Sequence, residues 1–173
     1  MLFRSVTLVS TVSLPAPSGV RVIPVETAAE MHDALDGIWS STDVLVMAAA
    51  VADFRPVACA SGKIKKDGGV PNIVLEPTPD ILCALGAKKR NGQILVGFAA
   101  ETSDMVANAE SKLRRKNLDM IVANDVSQPG VGFQHDTNAV TFLRPGQALE
   151  SVALTDKRAV ARELIDRVVA ARS

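Results

Sequence analysis

The chain has no tyrosine, one tryptophan and five phenylalanines, so aromatic residues are scarce enough for each to be followed singly. Its two cysteines, Cys59 and Cys83, are too few and too far apart for a zinc site or a disulfide framework, which suits a reducing, cytoplasmic setting. Charge of either sign is not in surplus: 19 lysines and arginines face 19 aspartates and glutamates, so no global field points to nucleic acid or a membrane surface. No apolar run approaches the length of a membrane span, and no long apolar region with a small-residue cleavage site follows Met1-Leu2-Phe3-Arg4-Ser5. The two histidines, His32 and His135, have no partner at metal or triad spacing. No serine or cysteine sits in a nucleophile elbow, and neither G-x-G-x-x-G nor a Walker lysine motif occurs. Internal repeats and low-complexity segments are missing too. What remains is a chain of 173 residues, 47% apolar, long enough for one domain with room for a small appended subdomain.

The stretch that organises this chain runs from Asp43 to Lys66. Val44-Leu45-Val46-Met47 predicts a strand buried on both faces. Small residues follow it, Ala48-Ala49-Ala50, where open α/β sheets bind ligands beyond the carboxyl ends of their strands. Asp53 then places a carboxylate in an apolar run, and Lys63, Lys65 and Lys66 stand on a loop between Gly62 and Gly68-Gly69. Taken alone, a basic loop is more often a solvated turn; the acid just before it weighs toward a polyanion site.

Upstream, Val6 to Ser10 predicts a buried strand and Val22 to Val25 a second, with Pro24 favouring an edge. Thr27 and Glu30 form a capping box that opens a helix ending near Trp39. Ile73 to Leu75 predicts a short strand. Thr78-Pro79-Asp80 then supplies N-cap, N1 and N2 of a helix with Ile81, Leu82, Leu85 and Gly86 on its core face. A strand from Ile94 to Ala99, a helix from about Asp104 to Lys116 and a strand from Met120 to Ala123 follow, then a loop through Gln128-Pro129-Gly130. A hairpin pairs Ala139–Leu143 with Ser151–Leu154. Thr155 caps a last helix, with Val160, Leu164, Ile165 and Val168 inward. This order predicts a Rossmann-like α/β fold with a mostly parallel sheet, helices on both faces and an antiparallel hairpin extension.

If the strand ends share one edge, four places meet: Met47-Ala48-Ala49 with Asp53, the helix start at Pro79-Asp80-Ile81-Leu82, Phe98, and the pair Lys112 and Lys116. Free amides at a helix start suit phosphate. Lys112 and Lys116 lie one turn apart and can address one anion, although a solvated face is the commoner reason for such a pair. Phe98 offers a ring to a base or ribose, against the more ordinary role of core packing. An NAD(P)-dependent oxidoreductase shares this element order but lacks its glycine fingerprint here. A non-catalytic nucleotide-binding remnant is the third reading.

Ala49-Ala50-Val51-Ala52-Asp53-Phe54, Lys63-Ile64-Lys65-Lys66, Pro79-Asp80-Ile81, Gly97 to Thr102, Lys116-Asn117-Leu118-Asp119 and Ala123-Asn124-Asp125-Val126 occur in one order and spacing. This series resembles the ligase half of the bacterial bifunctional phosphopantothenoylcysteine decarboxylase/phosphopantothenate–cysteine ligase of coenzyme A biosynthesis. The resemblance implies that 4′-phosphopantothenate is activated by CTP with Mg²⁺ to an acyl-cytidylate, and that the amine of cysteine then displaces CMP. It assigns CTP contacts to Met47, Ala48, Ala49, Asp53, Lys63, Pro79, Asp80, Ile81, Leu82, Phe98, Lys112 and Lys116. It also gives the catalytic roles to Lys63 and Asp53 and leaves the metal's ligands unspecified. FMN is expected only in the decarboxylase domain, and a homodimer through the Ser127–Leu154 region, or a larger assembly through the decarboxylase domain, is expected. Residues 1–173 are expected to be a single ligase domain lacking its first strand and helix and the decarboxylase domain, and to be impaired on its own. Ser10-Thr11-Val12 departs from the family's serine-glycine-proline.

Overall fold

A computed structural model of the chain describes residues 5–65, 70–101, 104–125 and 135–172. In chain order they form β1 (Val6–Ser10), β2 (Val20–Pro24), α1 (Ala28–Trp39), β3 (Val44–Met47), β4 (Phe54–Pro56) and β5 (Leu75–Pro77). Then come α2 (Ile81–Ala87), β6 (Ile94–Glu101), α3 (Met105–Arg115), β7 (Met120–Asp125), β8 (Thr137–Leu143), β9 (Glu150–Asp156) and α4 (Lys157–Ala171). The chain divides into two compact units, a larger one holding Ile38–Ala49 and Ile81–Ser173, and a smaller one of Ser5–Gly37 and Ala50–Asp80.

The larger unit is built on a five-stranded sheet in the order β3-β6-β7-β8-β9. β3, β6 and β7 are parallel, while β8 and β9 add the antiparallel hairpin that the turn at Pro145-Gly146 predicts. The fold is thus α/β and Rossmann-like with a hairpin extension. With the hairpin its main sheet is mixed, parallel over β3-β6-β7 and antiparallel over β8-β9; among the described residues β1 and β2 pair with each other in a separate ribbon. Alternation along the strands sends Ile94 and Val96, Met120 and Val122, and Val140 and Phe142 to one face, where Val160, Leu164 and Val168 of α4 cover them. Each such fully buried side chain contributes about 1.5–3 kcal/mol relative to exposure. The other face carries α2 and α3. A Cβ added at Gly97 would stand 3.1 Å from a methyl of Leu82 and 3.0 Å from one of Leu118, so the absence of a side chain there admits both leucines.

Three expectations for this unit change. β3 is an edge strand of its sheet and Val46 is 37% exposed, so it is not buried on both faces. The cap of α4 is Asp156, not Thr155: its carboxylate accepts from Arg158 N and Ala159 N, both at 2.9 Å. Ile165 is exposed, because Val160, Leu164 and Val168 already form a single i, i+4 row and Ile165 lies one position round from it.

In the smaller unit β1 and β2 make a two-stranded parallel ribbon, Val6 opposite Val20 and Leu8 opposite Val22. β1 is a strand, as predicted, but Val6, Leu8 and Val22 share one face of it and all are exposed, since a two-stranded ribbon leaves that face open. The capping box forms in a shifted version: Thr27 Oγ1 accepts from Glu30 N at 3.1 Å, but Glu30 Oε2 accepts from Glu26 N, one residue before the cap, at 2.7 Å. β4 has no counterpart in the sequence reading. It pairs antiparallel with β5, Phe54 with Pro77 and Pro56 with Leu75, and this pairing draws the short strand two residues past its expected start at Ile73.

Candidate functional site

Parallel register puts the carboxyl ends of β3 and β6 at one edge of the larger unit's sheet, with Met47 opposite Gly97. Ala48 and Ala49 lie just beyond β3 and are exposed, so their backbone groups are open to a ligand. Met47 and Ile81 are core side chains, 8% and 3% exposed, and have little besides backbone to offer. Leu82 is half-buried against Gly97. Phe98 is half-buried and packs against the α4-side core, one residue beyond Gly97. Its ring therefore serves the core and keeps only part of its surface exposed.

The lysine pair sits differently. α3 leaves the carboxyl end of β6 and delivers the chain to the start of β7, so its last turn lies toward the strands' amino ends. The backbone confirms it: Asp119 N donates to Leu95 O at 2.9 Å, and the Lys116 carbonyl rests against Gly86, in the last turn of α2. Lys112 lies one turn nearer the carboxyl edge, and helical side chains lean toward the helix N-terminus. Both lysines are half-buried and both are engaged in polar interactions.

In the smaller unit, Asp53 and the Thr78-Pro79-Asp80 segment are neighbours. Thr78 N donates to Asp53 O at 2.9 Å, and Thr78 Oγ1 donates to Ala52 O. The threonine hydroxyl is thus committed to the ladder beside β4, and α2 begins at Ile81, so Thr78 does not act as the expected N-cap. Asp53, Pro79 and Asp80 are all exposed. Lys63 and Lys65 are exposed too, on an excursion whose base is closed by the β4–β5 ladder, by Val57 N donating to Val74 O at 3.0 Å, and by the Arg55–Glu76 pair at 2.8 Å. Lys66, Gly68 and Gly69 lie outside the described residues, as do Thr102, Val126 and the Gln128-Pro129-Gly130 loop. Among the described residues no three His, Cys, Asp or Glu side chains are grouped to hold a metal.

Gly86 and Asn117 matter more to the structure than a core-face position and a place in a motif announce. Gly86 would carry a Cβ only 2.0 Å from the Lys116 carbonyl oxygen, and Asn117 adopts φ +51°. An asparagine directly after a basic helix end is the one local signal for the second.

The family described as the DNA/pantothenate metabolism flavoprotein C-terminal domain matches residues 4–171. The chain belongs to this family. A Vibrio cholerae protein named Coenzyme A biosynthesis bifunctional protein CoaBC is 48% identical over 164 residues, 92% of this chain and 41% of that protein. A protein named Cysteine/Cysteine sulfinic acid decarboxylase, from an unknown prokaryotic organism, is 44% identical over 155 residues, 90% of this chain and 43% of that one. The chain thus spans well under half the length of these curated relatives. The crystal structure of the C-terminal domain of Coenzyme A biosynthesis bifunctional protein CoaBC superposes with TM-score 0.76 at 36% identity, covering 95% of this chain and 72% of that one. Family membership accounts for the strand order and for the motif series from Ala49 to Val126 together.

Proposed function

We propose that the chain is a phosphopantothenate–cysteine ligase module of coenzyme A biosynthesis, working with CTP through an acyl-cytidylate. The observation that carries this is the family match from residue 4 to 171, with relatives bearing the coenzyme A biosynthesis name at 41–48% identity. A carboxylate oxygen of 4′-phosphopantothenate attacks the α-phosphorus of CTP and pyrophosphate departs. The amine of cysteine then attacks the acyl carbon, an amide forms, and CMP leaves. Such steps need cations and oriented donors where charge develops. In this proposal the backbone at Met47, Ala48 and Ala49 and the Pro79-Asp80-Ile81-Leu82 segment receive the nucleotide beside Phe98. Lys112 and Lys116 hold phosphate, and Lys63 and Asp53 act at the reacting centre. Mg²⁺ arrives with the triphosphate, as it commonly does when few protein carboxylates are grouped to cage it. FMN belongs, in this reading, to the decarboxylase half of the bifunctional relatives, and the assembly is a cytoplasmic homodimer in which residues 1–173 act as one ligase domain. Among the described residues, no helix is long and apolar enough to cross a membrane.

The decarboxylase-named relative does not favour a second reading. It is matched over the same small share of its length as the coenzyme A proteins, as expected of larger chains that have one module in common. Isothermal titration of the chain with CTP–Mg²⁺, ATP–Mg²⁺ and NAD⁺ tests the proposal. CTP should bind at micromolar concentration, and Lys112→Ala should weaken it by about 1–3 kcal/mol, the range for a charge-assisted contact. Binding of NAD⁺ with indifference to CTP would overturn it.

A further inference from the structure

We infer that Asn117 is a positioning residue for the nucleotide site, locking the end of α3 to α2. The inference rests on the proposed CTP reading. Asn117 occupies the left-handed region at φ +51°, which costs most side chains free energy and asparagine little. From there its Nδ2 donates to Gly86 O at 2.9 Å, while its own carbonyl accepts from Lys89 Nζ at 2.7 Å. Lys89 in turn donates to both carboxylate oxygens of Asp119 at 2.9 Å, and Asp119 Oδ2 accepts from Leu95 N at 2.7 Å. The lock therefore reaches from α3 through the end of α2 to the first residues of β6.

Gly86 makes the approach possible, because only a missing Cβ lets the Lys116 carbonyl sit against that turn. Above it, Leu82 and Leu118 meet over Gly97. Two helices are thus held at fixed height and spacing by one polar lock and one apolar contact. The start of α2 carries Ile81 and Leu82, the end of α3 carries Lys112 and Lys116, and Phe98 follows Gly97. Lys112 and Lys116, on the helix end that the lock holds, are the proposed contacts it positions directly, while Leu82 and Phe98 follow through the apolar contact at Gly97; the Asn117 side chain itself is committed to Gly86 and not to the ligand. A shift of about 1 Å in a positioning element is enough to weaken a site by orders of magnitude in turnover.

Asn117→Gly keeps the left-handed φ and deletes the amide; Asn117→Asp keeps the size and replaces the donor by an acceptor facing Gly86 O. Both are to be compared with the parent by titration with CTP–Mg²⁺ at 15 °C, alongside thermal melts. The expected result is a Kd raised about tenfold in each variant, within the range of couplings carried by such contacts, with Tm lowered by only a few degrees. A variant that is folded at 15 °C, melts lower and binds CTP like the parent has lost a purely structural bond, and the positioning role fails while the ligase reading stands. A parent that does not bind CTP overturns both.

Discussion

At the scale of single residues, two glycines separate a backbone constraint from a side-chain one. The Cβ of Gly86→Ala would meet the Lys116 carbonyl oxygen at 2.0 Å, and that peptide is pinned on both sides by Lys116 N donating to Lys112 O and Asn117 N donating to Arg114 O. Gly97→Ala meets only leucine methyls, at 3.0 and 3.1 Å, which yield by small rotations. Urea titration should show Gly86→Ala destabilised by about 3 kcal/mol and Gly97→Ala by about 1 kcal/mol or less, within the spread for overpacking. Equal losses would mean that the α2–α3 contact relaxes freely. Lys63 makes the sharpest chemical prediction. If its ammonium serves the second half-reaction, Lys63→Gln in a full-length bifunctional protein carrying this module, supplied with CTP, phosphopantothenate and cysteine, should still release pyrophosphate once. Acyl-cytidylate should then build up, visible by mass spectrometry, while amide formation falls about 100-fold or more, the scale of one lost electrostatic contact at a reacting centre. Parent-like product formation would reduce the KIKK segment to a solvated turn.

Among the elements, the hairpin and α4 are tied by charge as well as by packing. Glu150 accepts from Arg144 and, at 2.9 Å, from Arg167 Nε, whose guanidinium lies 4.3 Å from the centre of the Phe142 ring. The Arg144 hydrogen bond, with the charges of Arg144 and Arg167, holds the Glu150 carboxyl below its ordinary value of 4.5. Its contribution to stability is therefore complete above that value and is lost as pH falls through the lower folded one. Because the glutamate is partly exposed the effect is small. Glu150→Gln should flatten the acid limb of a stability–pH curve below pH 4.5 and cost little more there, while lowering stability at pH 7. An unchanged acid limb would exclude the pair. Elements with strong local patterns were legible in advance: α1 from its capping box, the β8–β9 hairpin from Pro145-Gly146, α4 from the Val160, Leu164, Val168 row. β4 was not, since Phe54-Arg55-Pro56 has neither period nor length and becomes a strand only by pairing with β5. For the candidate site, the strand-end residues could be named from the resemblance. The lock at Gly86 and Asn117 stayed hidden because it joins residues 31 apart in sequence through one amide.

For the molecule as a whole, burial is uneven between the two units. Among the described residues the buried apolar side chains of the smaller unit are Val25, Met31 and Leu35, whereas Val6, Leu8, Leu14, Phe54, Ile73 and Val74 are exposed in it. The larger unit holds Leu85, Leu95, Val96, Val122 and Val168 at 0% exposure or close to it. Opening free energy follows buried contact density, so amides of β1, β2, β4 and β5 should exchange with deuterium well before those of β6, β7 and β8. Uniform protection across both units would contradict this. The lone tryptophan turns the same division into an optical signal. Trp39 is 3% exposed, and its indole Nε1 donates to Leu85 O at 3.0 Å inside the larger unit. With no tyrosine in the chain, excitation of intrinsic fluorescence addresses this one indole. Its emission reports the seat of the indole against α2: blue while the Trp39–Leu85 bond holds, red once the ring is released.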